Sequence, residues 1–230
     1  MTARSRPLLL GHRGARATKS IPENTIASFD LCLEHGCDGF EFDVRAAADG
    51  SLVVCHDEAF RGVSVAGMSM RELENWQNQG VLPFLEDVLR RYSAKCFLDI
   101  ELKVAGMEAN VVELLWQYPP ARGYVVTSFL PQVLARLREL DGSIEVGGLL
   151  DRLSRGGSGV SEFPGAGVQW LLPEWYLLDE AMASNFRGAD VRIGTWTVNE
   201  TPDMRRLAAL GVEMLISDET ERLVNTFRVG

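Results

Sequence analysis

Short apolar runs alternate with amphipathic segments along most of the chain. Strands that read as continuous apolar runs are typical of a parallel sheet buried on both faces. One further apolar run, residues 52–55, either extends the second strand or pairs beside it. The predicted strands are residues 8–11, 39–44, 96–102, 124–129, 144–150, 170–173, 191–198 and 212–216.

Local sequence predicts where several of the intervening helices begin. Ser20 is expected to be the N-cap of the first helix, and Asp218 that of the last. Ser69 and Glu72 have the spacing of a capping box. Residues 151–168 lack a helical period and predict a loop with at most one helical turn. The predicted helices end near Gly36 and Phe227 for the first and last, and otherwise cover residues 69–76, 83–92, 107–118, 131–140, 178–186 and 201–210.

Eight successive strand-then-helix units predict the fold class. In a chain of 230 residues, this count favours an α/β protein, a (β/α)8 TIM barrel forming a single domain over residues 1–230. The alternative is an open, doubly wound sheet. No dinucleotide GxGxxG and no phosphate-loop GxxxxGK[ST] follows any strand, so the nucleotide-binding open sheets lose support.

Composition limits the class of function. The chain is 46% hydrophobic and 24% charged, as is usual for a soluble globular protein. Its net charge of −9 argues against nucleic-acid binding, which needs a basic face. An anionic substrate would therefore need local positive charge from a metal ion, arginine or lysine.

The sequence also carries expectations about location. The N-terminal apolar run is too short for a signal peptide, and no stretch is long enough to span a membrane. No two cysteines form a CxxC pair, and this pattern predicts that they are buried, reduced thiols of a cytoplasmic protein. Nothing in the pattern predicts an oligomeric state. The four cysteines are Cys32, Cys37, Cys55 and Cys96.

Two acids in the second predicted strand are the first candidate functional residues. Glu41 and Asp43 are two residues apart, so a strand places both carboxylates on one face. Such neighbours repel each other, and a cation between them relieves the repulsion. His56 ends the adjoining apolar run and is a candidate proton carrier. The competing interpretation is a pair of solvated acids on an edge strand.

Other polar residues follow predicted strands at the same end. In a barrel, the carboxyl ends of all strands share one mouth. His12 and Arg13 end the first strand, and Glu101 and Lys103 lie two apart at the end of the third. The remaining histidine, His35, is interpreted as a helix C-terminal residue that interacts with the helix dipole.

Six segments, in order and spacing, resemble the glycerophosphodiester phosphodiesterase family, and the resemblance extends from the first strand to residues 216–219. That family has a barrel fold, in agreement with the strand count. The segments are GHRG (11–14), PENT (22–25), EFDV (41–44), DGSLVVCHD (49–57), ELK (101–103) and WTVN (196–199).

The resemblance implies a role for each matching residue. It implies metal-dependent hydrolysis of a small glycerophosphodiester to sn-glycerol 3-phosphate and an alcohol, with Mg²⁺ or Ca²⁺ as cofactor. Which histidine is acid and which base is left open. The implied roles are acid–base catalysis for His12 and His56, metal binding for Glu41, Asp43 and Glu101, and phosphate binding for Arg13 and Lys103.

Several interpretations stay open beside these roles. The competing interpretation is an ion pair with an acid for Arg13 and a solvated strand terminus for Lys103. Phe129 and Trp196 are expected either to form walls of the substrate pocket or to belong to the core. Asp57 is expected to orient His56 or the loop that carries it.

Two other functions also remain as alternatives. One is a lysophospholipase D-like phosphodiesterase, and the other is a barrel that binds a phosphorylated ligand without catalysis. Residues 58–80 and 151–168 differ from longer family members, and both lie where substrate headgroups are expected to be selected.

Overall fold

The computed structural model describes residues 6–152, 163 and 167–228, and within them eight parallel strands close into a barrel. Three short strands, β3 to β5, lie outside this barrel. The strands are β1 (Leu8–His12), β2 (Gly39–Ala46), β3 (Leu52–Val54), β4 (Ala59–Phe60), β5 (Val63–Ser64), β6 (Phe97–Leu102), β7 (Tyr124–Ser128), β8 (Val146–Leu150), β9 (Trp170–Pro173), β10 (Arg192–Thr195) and β11 (Met214–Ser217).

Helices lie between the strands, as the amphipathic segments predicted. Within the described ranges, none of them has both the length and the apolar character needed to cross a membrane. The helices are α1 (Ile26–Glu34), α2 (Met70–Asn78), α3 (Leu85–Tyr92), α4 (Glu108–Gln117), α5 (Pro131–Leu140), α6 (Glu180–Gly188), α7 (Thr201–Ala209) and α8 (Thr220–Phe227).

Pairing of the first strand on both sides closes the barrel. On one side β1 pairs in parallel with β2, with His12 opposite Glu41, and on the other it pairs in parallel with β11. This closure confirms the TIM barrel and excludes the open sheet. Residues 52–55 lie beside the second strand, because β3 pairs antiparallel with β2.

The apolar core has two main layers. A large cluster, which includes Phe40 and Phe42, packs between the strands and the helices. A smaller cluster, which includes Leu10, Trp170 and Ile216, fills the barrel interior. Since successive strand residues face opposite sides, the acids that alternate with Phe40 and Phe42 in β2 face the interior.

Two of the predicted helix N-caps, Ser20 and Asp218, are wrong. The N-cap of α1 is Thr25 rather than Ser20, and the Ser28 N–H donates to the Thr25 hydroxyl at 3.2 Å. Asn24 has φ 58°, a left-handed conformation that a right-handed helix cannot include, so residues 20–24 remain a loop. Asp218 does not cap the last helix; the N-cap position of α8 is Glu219, without a side-chain cap.

Two other local predictions are confirmed. The Ser69 N–H donates to the Glu72 carboxylate at 2.9 Å, as a capping box requires. All four cysteines are buried free thiols. The predicted loop over residues 151–168 falls mostly outside the described residues.

Candidate active site

A cavity of about 170 Å³ opens at the carboxyl ends of the barrel strands. It brings together the polar residues that the sequence placed at strand ends. Asp43 is not part of its surface and lies buried beside it, with 1% of its side chain exposed. The lining residues are His12, Arg13, Glu41, His56, Asp99, Glu101, Lys103, Thr127, Phe129, Leu149, Trp196 and Ile216.

Three buried carboxylates converge at this cavity. Asp43 in β2 lies opposite Glu101 in β6, and Glu41 precedes Asp43 on the same face of β2. One oxygen from each of the three lies within 4.8 Å of the others. The two acids of β2 are therefore buried inside the barrel, and the interpretation of solvated acids on an edge strand is wrong.

This acid triad, Glu41, Asp43 and Glu101, fits a hard divalent cation. Oε1 of Glu41 is buried and has no hydrogen-bond partner among the described residues, and buried Oδ1 of Asp43 has only an ion pair with Lys103 there. Carboxylate oxygens without a sulfur or imidazole ligand are the donor set that Mg²⁺ and Ca²⁺ prefer. The triad can hold such an ion.

Burial makes the negative charge of these acids costly. Burial, together with the charges of Asp43 and Glu101, raises the pKa of Glu41 well above its ordinary value. Burial likewise raises the pKa of Glu101 to about 7 and that of Asp99 to about 8. A bound cation would offset this concentration of like charge.

Two positively charged side chains, Lys103 and Arg13, already pair with the triad. Nζ of Lys103 lies 2.6 Å from Glu101 Oε1 and 3.3 Å from Asp43 Oδ1. Nε of Arg13 lies 3.2 Å from Asp43 Oδ2, and its Nη1 lies 2.7 Å from Glu23 Oε1. Burial alone would raise the pKa of Asp43, but Arg13 and Lys103 hold it below its ordinary value.

These ion pairs decide between the alternative interpretations of Lys103 and Arg13. Lys103 is not a solvated strand terminus, because only 13% of its side chain is exposed. Arg13 does pair with acids, and it also lines the cavity. Both side chains therefore bring positive charge to the place where an anionic substrate would enter.

His12 is held by the carboxylate of Asp218, of whose side chain 18% is exposed. Its Nδ1 lies 2.8 Å from Oδ1 of Asp218, and its Nε2 lies 3.9 Å from Oε2 of Glu41. Because the carboxylate accepts, Nδ1 carries the hydrogen and Nε2 is the free nitrogen. Burial lowers the pKa of His12, and the hydrogen bond to Asp218 opposes that shift.

Asp218 is the site residue that the sequence interpretation missed. It follows β11 at the barrel mouth, and besides His12 its carboxylate accepts from Arg16 Nη1 at 3.1 Å and from Asn199 Nδ2 at 3.1 Å. Burial would raise its pKa, but the His12 and Arg16 contacts hold it well below the usual range. The strand-end rule that identified His12 applies to Asp218 as well.

His56 has a more exposed environment. Its Nδ1 lies 2.8 Å from Oδ1 of Asp57, which agrees with the orienting role expected for that acid. The exposed fraction is 35% for the His56 side chain and 79% for Asp57. His56 lines the cavity and also a second depression of about 280 Å³, the outer groove.

Phe129 and Trp196 are walls of the cavity and also pack against the interior cluster. Their rings lie 5.6 Å apart in an edge-on arrangement, and Trp196 Nε1 donates to the Leu172 carbonyl at 2.8 Å. His35 lies away from the cavity, where it ends α1 and its Nδ1 contacts Thr220 Oγ1 at 2.7 Å. His35 therefore has the predicted position at the C-terminus of α1.

Comparisons with known proteins point to one family. Residues 12–222 match the model of the glycerophosphoryl diester phosphodiesterase family. A glycerophosphodiester phosphodiesterase of Caldanaerobacter subterraneus is 27% identical, over 97% of this chain and 98% of that protein.

Solved structures show the same fold. The glycerophosphodiester phosphodiesterase of Thermotoga maritima has a TM-score of 0.81 and 25% identity, covering 97% of this chain and 99% of the other. A phosphodiesterase of Oleispira antarctica, solved with its product sn-glycerol-3-phosphate, has a TM-score of 0.81 and 23% identity, with 96% of both chains covered. The chain belongs to the glycerophosphoryl diester phosphodiesterase family.

Proposed function

We propose that the protein hydrolyses glycerophosphodiesters to sn-glycerol 3-phosphate and an alcohol, with the help of a divalent cation. The observation that carries this proposal is the convergence of three buried carboxylates and two histidines on one cavity. Membership of the family supports it, as does the product bound by the Oleispira antarctica relative.

The acid triad would hold Mg²⁺ or Ca²⁺. Bound there, the cation would act as a Lewis acid that offsets negative charge on the phosphate oxygens. Arg13 and Lys103 add fixed positive charge at the same mouth. Because a phosphodiester gains negative charge as it is attacked, positive groups fixed before the reaction stabilise the transition state more than the ground state.

The two histidines divide the proton transfers. We assign His12 as the base, because its Nδ1–H is fixed by Asp218 and its Nε2 is free to take a proton from the attacking hydroxyl. His56 is the acid that protonates the leaving alcohol, because it lies where the cavity meets the outer groove. The bond between phosphorus and the alcohol oxygen then breaks as that oxygen gains the His56 proton.

The attacking group in this scheme is the 2-hydroxyl of the glycerol, which gives a cyclic phosphate that water then opens. In the second step the histidines exchange roles: one takes a proton from water and the other returns one to the 2-oxygen. Accumulation of the cyclic phosphate in a slow His12 or His56 variant would support this route. Its absence in every slow variant would favour direct attack by water.

Release of sn-glycerol 3-phosphate from glycerophosphoethanolamine tests the proposal. We expect turnover with Mg²⁺ or Ca²⁺, and loss of turnover with EDTA. The matched control is His35→Ala, which removes the histidine outside the cavity and should keep normal activity. Headgroup release from long-chain lysolipids alone would instead indicate a lysophospholipase D-like enzyme, and saturable binding without turnover would indicate a non-catalytic barrel.

A further inference from the structure

We infer that the outer groove receives the leaving alcohol and selects uncharged, hydroxyl-rich alcohols over quaternary ammonium alcohols. This inference rests on the proposed hydrolysis and adds the class of alcohol to it. The groove lies between the loop that precedes α1 and the β4–β5 hairpin. Its lining residues are Pro22, Glu23, Asn24, Val54, Cys55, His56, Asp57, Ala59, Phe60, Arg61 and Val81.

The position of His56 connects the groove to the reaction. His56 lines both the cavity that holds the acid triad and the outer groove. A phosphodiester with its phosphate at the triad therefore has its alcohol directed past His56. With a volume of about 280 Å³, the groove is large enough for a small alcohol and falls short of the usual range for drug-sized ligands, about 300–1,000 Å³.

Arg61 is the distinctive residue of the groove. It and Gly62 form the turn of the hairpin, with φ values of 50° and 83°, and the flanking Phe60 and Val63 pair across it. Such turns favour asparagine or glycine, and a larger residue there costs free energy. The turn directs the guanidinium over two aromatic rings, 4.8 Å from the centroid of Trp76 and 5.6 Å from that of Phe60.

This stacking decides which alcohol fits. The face of Phe60, the aromatic ring that lines the groove, would otherwise attract a quaternary ammonium group by the cation–π interaction. Here the guanidinium of Arg61 already covers this ring, and its own positive charge would repel a second cation. A choline-like alcohol therefore loses the interaction that an aromatic site normally offers it.

The polar atoms of the groove suit hydroxyl groups. Arg61 makes no ion pair among the described residues, so its N–H groups are available as donors. The exposed carboxylate of Asp57 is an acceptor. Glu23 has little free charge to offer, because Arg13 and Arg16 pair with it at 2.7 and 2.5 Å. A neutral polyol can use both a donor and an acceptor. A quaternary ammonium group has no N–H to donate to Asp57, whose 79% exposure leaves its charge screened by water, and it meets a group of its own sign in Arg61.

Two substrates that differ only in the alcohol test this inference. We expect kcat/KM for glycerophosphoglycerol to exceed that for glycerophosphocholine by about tenfold in the wild-type protein, the least that a hydrogen bond to a charged group provides. Arg61→Met keeps an unbranched side chain and removes the guanidinium. It should lower kcat/KM for glycerophosphoglycerol and raise that for glycerophosphocholine.

The control is Arg71→Met, which removes the same charge from the exposed face of α2, outside the groove. It should keep the wild-type ratio. Preference for glycerophosphocholine in the wild type, or an unchanged ratio in a folded Arg61→Met variant, would overturn the assignment of the groove and leave the hydrolysis intact. Absence of turnover on both substrates would instead contradict the proposed function.

Discussion

The two histidines of the cavity have the same partner type in very different surroundings. His12 and Asp218 are mostly buried, with 13% and 18% of their side chains exposed, and Arg16 and Asn199 hold the carboxylate. His56 and Asp57 make a bond of the same length, 2.8 Å, at 35% and 79% exposure. A hydrogen bond shielded from water is stronger and fixes its partners, whereas an exposed ion pair contributes little.

The difference in exposure between the two pairs indicates a different function for each histidine. A mostly buried carboxylate with several hydrogen bonds keeps the His12 ring in one orientation, with Nε2 directed away from Asp218. The more exposed His56 lies at the entrance to the outer groove, through which an alcohol would leave. We therefore expect the orienting acid to matter far more for His12 than for His56.

Replacement of either histidine by alanine should have the largest effect. We expect a loss of about 10²–10⁴-fold in kcat on an alkyl diester for each, since that is the usual contribution of a positioned acid or base. A p-nitrophenyl ester of glycerol phosphate sharpens the comparison, because its leaving group needs no proton. His56→Ala should recover much of its rate on this ester, and His12→Ala should not.

Equal recovery by both variants would show that the histidines share one role. Recovery by His12→Ala alone would reverse the assignment of base and acid. His35→Ala, the variant of the histidine outside the cavity, should behave as the wild type on both esters.

Asp218→Asn should have the next largest effect. The amide keeps the size of the side chain but can donate to Nδ1 and so favour the wrong tautomer of His12. Loss of the orienting acid in a histidine–aspartate pair costs up to about 10⁴-fold in well-studied hydrolases, and we expect at least about 10²-fold here. The loss should fall on kcat, with the melting temperature close to that of the wild type. A decrease in stability with unchanged kcat would show that Asp218 only links β11 to the loop that precedes α1.

Asp57→Asn should have the smallest effect. Exposed ion pairs contribute about 0.2–1 kcal/mol, so we expect kcat to fall by less than about fivefold on the same alkyl diester. Measured side by side with Asp218→Asn, this variant isolates the effect of burial, because both replace the partner of a histidine by the same amide. Equal losses in the two variants would contradict the difference between the sites.

Much of the barrel was predictable because its signals are local. Glu41 and Asp43 alternate with Phe40 and Phe42, so the face of β2 followed from the strand period alone. The convergence of Glu101 on the same point required only the rule that parallel strands end at one mouth. The apolar strands were found for the same reason, within a few residues of their observed bounds.

The remaining features depend on contacts between distant parts of the chain. Asp218 has the local sequence of a helix cap, and only closure of β11 against β1 brings it 2.8 Å from His12. Ser20 resembled an N-cap, but the left-handed Asn24 delays the helix to Thr25. The position of Arg61 over Trp76 likewise joins a hairpin to a helix that follows it. The hydrophobic periodicity of the sequence does not predict such a contact.

The most direct test of the central claim, that Glu41, Asp43 and Glu101 form a divalent cation site, is the melting temperature with and without Mg²⁺ or Ca²⁺. An ion at 100 times its Kd stabilises the folded state by about 2.7 kcal/mol, which for a chain of this size raises the melting temperature by about 5–10 °C. Glu41→Gln should melt higher than the wild type without the ion, because repulsion is relieved, and should not respond to it. Asp99→Asn, a buried neighbour outside the triad, should keep the response. A wild-type protein whose melting temperature ignores both ions, or a Glu41→Gln variant that responds as strongly as the wild type, would contradict the claim.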